Sequence, residues 1–233
     1  REEFAFLEAM RLEAAAQGAD IVLGMLERDP DDGRYYNSLL VLGDPPAVYR
    51  KRHLVPFGEY FPVPEFVRHW MRLMSLPYVD IAAGQQRPDP LPVAGLKAAA
   101  SICYEDAFGA EQRVFLPDAD VLINVSNDAW FGDSIAPHQH LEIARMRSLE
   151  TGRPMIRSTN TGRSAFIDAR GRIISATDQF VLQTLTAELQ GRTGSTPFIT
   201  FARIQPWLAM LILLAAIVVL RRPRSTRLSD VDK

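Results

Sequence analysis

The sequence predicts an α/β fold, because segments with helical and with strand periodicity alternate along most of its 233 residues. Hydrophobic residues make up 47% of the chain and charged residues 23%, proportions that suit a packed domain with one sizeable core. The 26 Lys and Arg residues nearly balance 28 Asp and Glu residues, and no basic stripe is evident. The charge pattern therefore argues against nucleic acid as a partner.

The elements follow in order along the chain. Residues 3–17 have the periodicity of an amphipathic helix. Strands are predicted where apolar runs are bounded by Gly, Pro, Asp or Asn, at 19–25, 36–42, 98–104, 120–126 and 164–169. Helices are predicted at 64–74, 107–116 and 138–151, the last with Leu141, Ala144, Met146 and Leu149 on its inner face.

The segment 206–220 departs from this pattern, since it contains no charged or strongly polar residue. A bilayer span needs about 20 apolar residues, a length reached if the segment starts near residue 199. Trp207 stands at one end, and the other end is followed by Arg221, Arg222, Arg224 and Arg227, the basic flank expected on the cytoplasmic side. The alternative is a buried core helix. We predict a transmembrane helix at 206–220.

The domain organisation follows from this span. Residues 1–190 form the globular domain, residues 191–205 are a Gly-, Ser- and Pro-containing linker, and residues 221–233 are a basic cytoplasmic tail. The globular domain then lies on the other face of the membrane, which in a bacterium is the periplasmic face of the inner membrane.

Cys103 is the one cysteine of the chain, which excludes an internal disulfide. It ends an apolar run and precedes a helix signal. Such a strand-to-helix turn can present a nucleophile to substrate, with helix amides facing the developing charge. The residue type and position alone also fit an inert buried thiol.

The segment 49–62 concentrates Lys51, His53 and Glu59 beside prolines and a glycine. Loops of this kind often carry functional groups, and a lysine close to a cysteine can favour the thiolate and bind an oxyanion. A solvated basic loop is the alternative interpretation. His138 and His140 are interpreted as a polar helix start, because two histidines at i, i+2 spacing are too few for a metal site.

Three segments, taken together, identify a family. They are Tyr49 to Glu59 (YRKRHLVPFGE), Ile102 to Glu105 (ICYE) and the stretch 124–154, NVSNDAWFGDSIAPHQHLEIARMRSLETGRP. In this order they resemble the apolipoprotein N-acyltransferases, a membrane-bound branch of the nitrilase superfamily. The resemblance extends from about residue 20 to residue 170.

The resemblance implies a nitrilase-like αββα sandwich, incomplete at its N-terminus, and an active site of the Glu-Lys-Cys type. Cys103 matches the nucleophile, Lys51 the catalytic lysine and Glu59 a further glutamate of the site. Tyr104, Glu105, Trp130 and Phe131 match positions that shape the substrate pocket. No metal or cofactor is implied.

The family transfers an acyl group from a membrane phospholipid, through a cysteine thioester, to the terminal amine of a diacylglyceryl-cysteine apolipoprotein. Its general-base glutamate lies upstream of residue 1, so we expect the fragment alone to be inactive. Glu27 is interpreted as a solvated loop residue and not as a substitute for that base.

Two other functions stay open at this stage. A nitrilase-superfamily amidase or carbamoylase would use the same cysteine on a small soluble amide, although the C-terminal apolar segment argues against it. A membrane-tethered, non-catalytic binding module would make Cys103 structural, and the missing base is its only support.

Overall fold

The computed structural model describes residues 2–64, 66–67, 81–201 and 204–221. The predicted helix at 64–74 falls almost wholly outside these residues, as does most of the predicted tail. The chain divides into two compact units, Arg1–Ile199 and Thr200–Lys233. The first unit alternates helices and strands, which confirms the α/β class.

The first unit begins with helix α1 (Glu2–Ala16), followed by a three-stranded antiparallel sheet. Its strands, in spatial order, are β1 (Ile21–Arg28), β2 (Tyr35–Leu42) and β3 (Ala47–Arg50). In β2, the side chains of Leu39 and Val41 are almost fully buried. This alternation is typical of a strand with one face toward a core.

A second sheet has six strands in sequential order. They are β4 (Leu91–Val93), β5 (Leu96–Ile102), β6 (Val121–Ser126), β7 (Met155–Thr159), β8 (Ala165–Ile167) and β9 (Ile173–Ala176). The central strands β5, β6 and β7 are parallel, and the outer pairs are antiparallel. The carboxyl ends of the parallel strands therefore lie at one edge of the sheet, where α/β proteins commonly place their sites.

The two sheets pack face to face, with β2 against β5 and β1 against β6. Small side chains allow this close approach, because Ala98, Ala99 and Ala100 of β5 are completely buried. A side-chain carbon added at Gly24 of β1 would lie 3.0 Å from Val125 of β6. The core of the domain lies between the sheets and extends under the helix that follows β6.

Between β5 and β6 a short helix, α2 (Gly109–Gln112), lies between two 3-10 turns, Cys103–Ala107 and Arg113–Phe115. Another 3-10 turn, Asp128–Phe131, precedes α3 (Ala136–Thr151), which packs against β7 and the 103–107 turn. These elements match the helices predicted at 107–116 and 138–151.

The predicted inner face of α3 is half wrong. Leu141 and Ala144 are buried as expected, but Met146 and Leu149 are 46% and 53% exposed. The buried stripe continues instead through polar residues, namely His140, Arg147, Ser148 and Thr151. Together with Leu141 and Ala144, these positions are related by three- and four-residue spacings and share one face of the helix, whereas 146 and 149 lie off it.

Four strands were not predicted: β3, β4, β7 and β9. Each is at most five residues long, and β7 carries Arg157 at its centre. Arg157 is only 2% exposed, because buried carboxylates neutralise its charge. The strand was not predicted because a charged residue at its centre interrupts the hydrophobic pattern.

The segment 191–196, predicted as the start of a linker, makes hydrogen bonds within the first unit. The amide of Arg192 donates to the carbonyl of Asp120, and the guanidinium of Arg153 donates to the carbonyl of Gly194. A short helix, α4 (Pro197–Phe201), follows.

The second unit contains helix α5 (Gln205–Arg221), which matches the apolar segment predicted at 206–220. Its described large apolar side chains are exposed, from Ile217 at 39% to Leu220 at 83%. Among the residues described here, no helix combines the length and apolar character that a bilayer crossing requires.

Candidate active site

Cys103 is the first residue after β5, at the carboxyl end of a central parallel strand. Its backbone is left-handed, with a φ of 52°, a conformation that non-glycine residues adopt at a cost and that often occurs at functional sites. The residue is partly exposed. The strand therefore ends in a strained turn that presents the thiol at the edge of the sheet.

Lys51 is the first residue after β3, in the other sheet, and its side chain is 1% exposed. Its ammonium lies 2.9 Å from Oε1 and 2.8 Å from Oε2 of Glu59. The same carboxylate accepts hydrogen bonds from the side-chain amide of Asn37 and from the backbone amide of Val55. A solvated position for Lys51 is thus excluded, and Glu59 holds the buried ammonium in place.

Glu105 connects the loop of Lys51 to the turn of Cys103. Its Oε1 accepts hydrogen bonds from the amides of Arg52 and His53, and its Oε2 accepts one from the amide of Ile102. The hydroxyl of Tyr49 donates to both oxygens. The residue after Lys51 and the residue before Cys103 therefore bind one carboxylate, which brings the two ends of the sheets together.

The side chain of Glu105 is 1% exposed and is surrounded by these donors. In this structure Glu105 positions the site by binding the backbone amides on either side of it. Burial, reinforced by the neighbouring Glu105 carboxylate, raises the pKa of Tyr49, so the tyrosine stays a hydrogen-bond donor. A direct contact between Glu105 and substrate stays a prediction.

Aromatic side chains surround the turn that begins at Cys103. Tyr104 is 39% exposed, and its ring packs edge-to-face on Phe108. The ring of His53 stacks on Phe108 at 3.7 Å, and its Nδ1 lies 2.7 Å from a carboxylate oxygen of Glu111. These contacts fix an aromatic wall beside Cys103.

Trp130 and Phe131 lie on the 128–131 turn and are 82% and 41% exposed. The ring of Phe131 stands 6.3 Å from the ring of His140, nearly perpendicular to it. Since a ring nitrogen of His140 lies 3.3 Å from the Cys103 carbonyl oxygen, only the His140 side chain separates Phe131 from the backbone of Cys103. Their assignment to an acyl pocket stays a prediction.

His140 differs from its sequence interpretation as a polar helix start. It is 6% exposed and lies between the carboxylates of Asp106 and Asp128, to which Arg157 is also bound. Neighbouring His138 is exposed, as expected. The network was missed because its members are 12 to 51 residues apart in sequence. The polar stripe on α3, at 140, 147, 148 and 151, was the available signal.

Glu27 is also not a solvated loop residue. It lies in β1, and its carboxylate binds the guanidinium of Arg50 at 2.8 Å and the hydroxyl of Ser38. The hydrogen bond from Arg50 and that from Ser38 outweigh burial and lower the pKa of Glu27.

Comparison with known proteins identifies the family of this chain. The carbon-nitrogen hydrolase family profile matches residues 1–198. The chain belongs to the carbon-nitrogen hydrolase family. Among solved structures, this carbon-nitrogen hydrolase is similar to one from Helicobacter pylori, with a TM-score of 0.52 and 16% identity over 77% of this chain and 68% of that one. The NitFhit protein of C. elegans gives a TM-score of 0.56 and 17% identity over 88% of this chain and 49% of that one. At these identities the likeness establishes the nitrilase-like fold alone.

Curated sequences confirm the resemblance found in the motifs. The apolipoprotein N-acyltransferase of Methylococcus capsulatus is 46% identical over 83% of this chain and 38% of its own length. That of Nitrosomonas europaea is 45% identical over 84% of this chain and 40% of its own length. The chain thus spans about two-fifths of the length of these relatives.

Proposed function

We propose that this chain carries the catalytic cysteine and lysine of an apolipoprotein N-acyltransferase, whose general base lies outside residues 1–233. The enzyme would move a fatty acyl group from a membrane phospholipid to the terminal amine of a diacylglyceryl-cysteine apolipoprotein. The proposal depends on one observation, a strained, partly exposed cysteine whose turn is joined through Glu105 to the loop of a buried lysine. The names of the curated relatives support the choice of reaction.

In the first half-reaction, the Cys103 thiolate attacks the ester carbonyl of the phospholipid. The carbonyl oxygen becomes an oxyanion, stabilised by the Lys51 ammonium and by amides at the start of the 103–107 turn. The ester C–O bond then breaks. The acyl group stays on Sγ as a thioester, and the lysophospholipid oxygen takes the proton that the thiol had given to a general base.

In the second half-reaction, the amine of the apolipoprotein attacks the thioester carbonyl. The C–S bond breaks, the amine proton passes to the general base, and the cysteine is regenerated. The resemblance assigns this base to a glutamate upstream of residue 1. Glu27, Glu59 and Glu105 are each engaged in the contacts described above.

Exposed apolar side chains on the loops of the site favour lipid substrates over a small amide. Phe57 is 67% exposed in the loop between Lys51 and Glu59, and Trp130 and Ile135 are 82% and 67% exposed after β6. Apolar surface of this kind is typical of a contact with lipid or with another protein. We infer that it meets the acyl chains.

Helix α5 supports a site at the membrane surface. We propose that it enters the inner membrane together with apolar residues from about 199 onward. The arginines at 221, 222, 224 and 227 support a cytoplasmic tail and a periplasmic domain. Both substrates carry acyl chains, so a membrane-anchored enzyme meets them where they are concentrated.

The reaction can be tested with the full-length protein and phosphatidylethanolamine radiolabelled in its acyl chains. Wild-type protein should acquire label that neutral hydroxylamine releases, as a thioester requires. Cys103→Ala should acquire none, and Cys103→Ser should form at most a hydroxylamine-resistant oxyester. Removing the ammonium in Lys51→Met should slow labelling by about 10²–10³-fold.

Two results would refute the proposal. Label retained by Cys103→Ala would exclude the acyl-enzyme. Release of ammonia from short amides by a protein that never acquires lipid label would identify an amidase instead.

A further inference from the structure

Four buried ionisable side chains lie beside the nucleophile, and the reaction described above does not use them. They are Asp106 of the 103–107 turn, Asp128 of the 128–131 turn, His140 of α3 and Arg157 of β7, none more than 6% exposed. Buried charges are costly unless they are paired, so a cluster drawn from four elements needs a complete set of partners.

His140 bridges the two carboxylates. Its Nδ1 lies 3.1 Å from Oδ1 of Asp128, and its Nε2 lies 3.0 Å from Oδ1 of Asp106. Arg157 binds the second oxygen of each, Oδ2 of Asp106 and Oδ2 of Asp128, both at 3.2 Å. Two anions thus face two cations when both ring nitrogens of His140 carry protons.

The contacts favour this doubly protonated form. Burial alone would lower the pKa of His140, but hydrogen bonds to Asp106 and Asp128 outweigh burial and raise it to about 9. Burial would likewise raise the pKa of Asp128, yet hydrogen bonds from His140 and Ser126 lower it. A neutral imidazole would turn a lone pair toward one of the carboxylates.

The same ring reaches the nucleophile. Nε2 of His140 lies 3.3 Å from the carbonyl oxygen of Cys103, whose own φ is 52°. A left-handed cysteine persists only if its surroundings hold it. Glu105 accepts a hydrogen bond from the amide of Ile102, the residue before Cys103. His140 contacts the backbone carbonyl of Cys103 itself.

We propose that His140 is a positioning residue, which holds the Cys103 carbonyl and thereby aims the thiol at the substrate. Asp128 and Arg157 act one step further away, by fixing the imidazolium between Asp106 and the 128–131 turn. The proposal deepens the proposed function and rests on it only in taking Cys103 as the nucleophile.

The close packing around the cluster leaves little freedom for the ring. A side-chain carbon added at Gly162 would lie 2.1 Å from Oδ2 of Asp128, so the chain after β7 passes directly over that carboxylate. Asn124 also binds Arg157 and the hydroxyl of Ser101. His140 is thus held in one orientation.

The test measures how fast iodoacetamide alkylates Cys103 in the full-length protein in detergent, by mass spectrometry of the peptide that contains it. Because φ can relax once the contact is lost, His140→Leu should lower the rate at neutral pH by about tenfold. His140→Gln keeps a neutral donor and should lose less. A merely structural role predicts the reverse, since a loosened turn exposes the thiol.

His138→Leu is the matched control, because His138 lies on the same helix and is exposed. In this variant Cys103 should be alkylated at the wild-type rate. Thermal unfolding monitored by circular dichroism identifies which variants are folded. An unchanged or faster rate in folded His140→Leu would overturn the proposal.

A second measurement needs no variant at His140. In protein labelled with ¹⁵N-histidine, both ring nitrogens of His140 should have imidazolium chemical shifts at pH 7.5. An Nε2 that carries no proton would overturn the proposal, because it could not donate to the Cys103 carbonyl. If alkylation depends on His140 while phospholipid never labels the protein, the positioning role holds and the acyl-transfer proposal fails.

Discussion

At the scale of single residues, Glu105 shows how one carboxylate can set the relative position of two loops. All of its neighbours are donors: three backbone amides and the hydroxyl of Tyr49. A carboxylate has acceptors only, so it can satisfy such a set completely. Another side chain of similar size, such as glutamine, would add a donor of its own that faces one of these donors.

This complementarity predicts a large effect from a small change. In Glu105→Gln, the side-chain NH₂ replaces one oxygen, and each oxygen currently accepts a backbone amide. At least one buried amide is then left without an acceptor, at a cost of about 1–3 kcal/mol. Urea unfolding of the detergent-solubilised protein should show this loss, and Cys103 labelling by phospholipid should fall with it.

The control for this prediction is Glu111→Gln. Glu111 pairs with His53 at the surface, and both side chains are about one-third exposed. Exposed pairs of this kind contribute about 0–1 kcal/mol. Equal losses in the two variants would show that the buried donors around Glu105 are not what stabilises the site.

The sequence predicted where the candidate site residues lie in the fold better than it predicted their surroundings. Cys103 at a strand end and Lys51 near Glu59 could be anticipated from turn chemistry and from the family motifs. Asn37, which binds Glu59, and the cluster around His140 could not. Their partners are 12 to 51 residues away, and a single sequence does not show which of its distant residues contact each other.

At the scale of elements, both candidate catalytic residues follow directly after strands. β3 ends at Arg50 and β5 ends at Ile102, so the face-to-face packing of the two sheets determines where the lysine and the cysteine lie. Apolar strands such as β5 and β6 could be predicted, because continuous hydrophobic runs identify buried parallel strands. The short outer strands could not, since pairing with a neighbour contributes more to them than their own composition does.

Arg153 joins several of these elements. It is 1% exposed, and its guanidinium donates to the carbonyls of Ala119, Thr151, Pro117 and Gly194. It therefore ties the end of α3 to the start of β6 and to the 191–196 segment. The planar fork of five donors makes arginine suited to this task.

We predict that Arg153→Met loosens the 191–196 segment. Methionine fills much of the same volume but donates nothing, so the four carbonyls lose their shared donor. The free energy of unfolding should fall by about 3 kcal/mol or more, given that each hydrogen bond to a charged group contributes about 1.5–3 kcal/mol. Hydrogen exchange should accelerate at residues 192–196. Arg170→Met, at an exposed position, should change neither quantity.

At the scale of the whole molecule, the two units differ in how much of their apolar side-chain surface is exposed. The first unit has a core of buried apolar side chains, among them Leu39, Leu122 and Ile167, whereas α5 exposes all of its described leucines and isoleucines. A helix that is apolar all round has no polar face to turn toward water. We therefore expect the C-terminal unit to associate with lipid.

This expectation leads to a prediction about membrane binding. A charged residue in the middle of a membrane helix costs about 2.5–3.5 kcal/mol, so the double substitution Leu213→Glu and Ile217→Glu should weaken retention in vesicles at least 100-fold. Flotation of a protein with residues 1–233 in the presence of liposomes measures the bound fraction. Leu182→Glu changes a fully exposed leucine in the first unit, and this variant should float like the wild-type chain. In sealed inner-membrane vesicles of known orientation, protease should remove the domain only from the periplasmic face. Equal flotation of the doubly substituted chain would place membrane attachment elsewhere, and cleavage from the cytoplasmic face would reverse the proposed orientation.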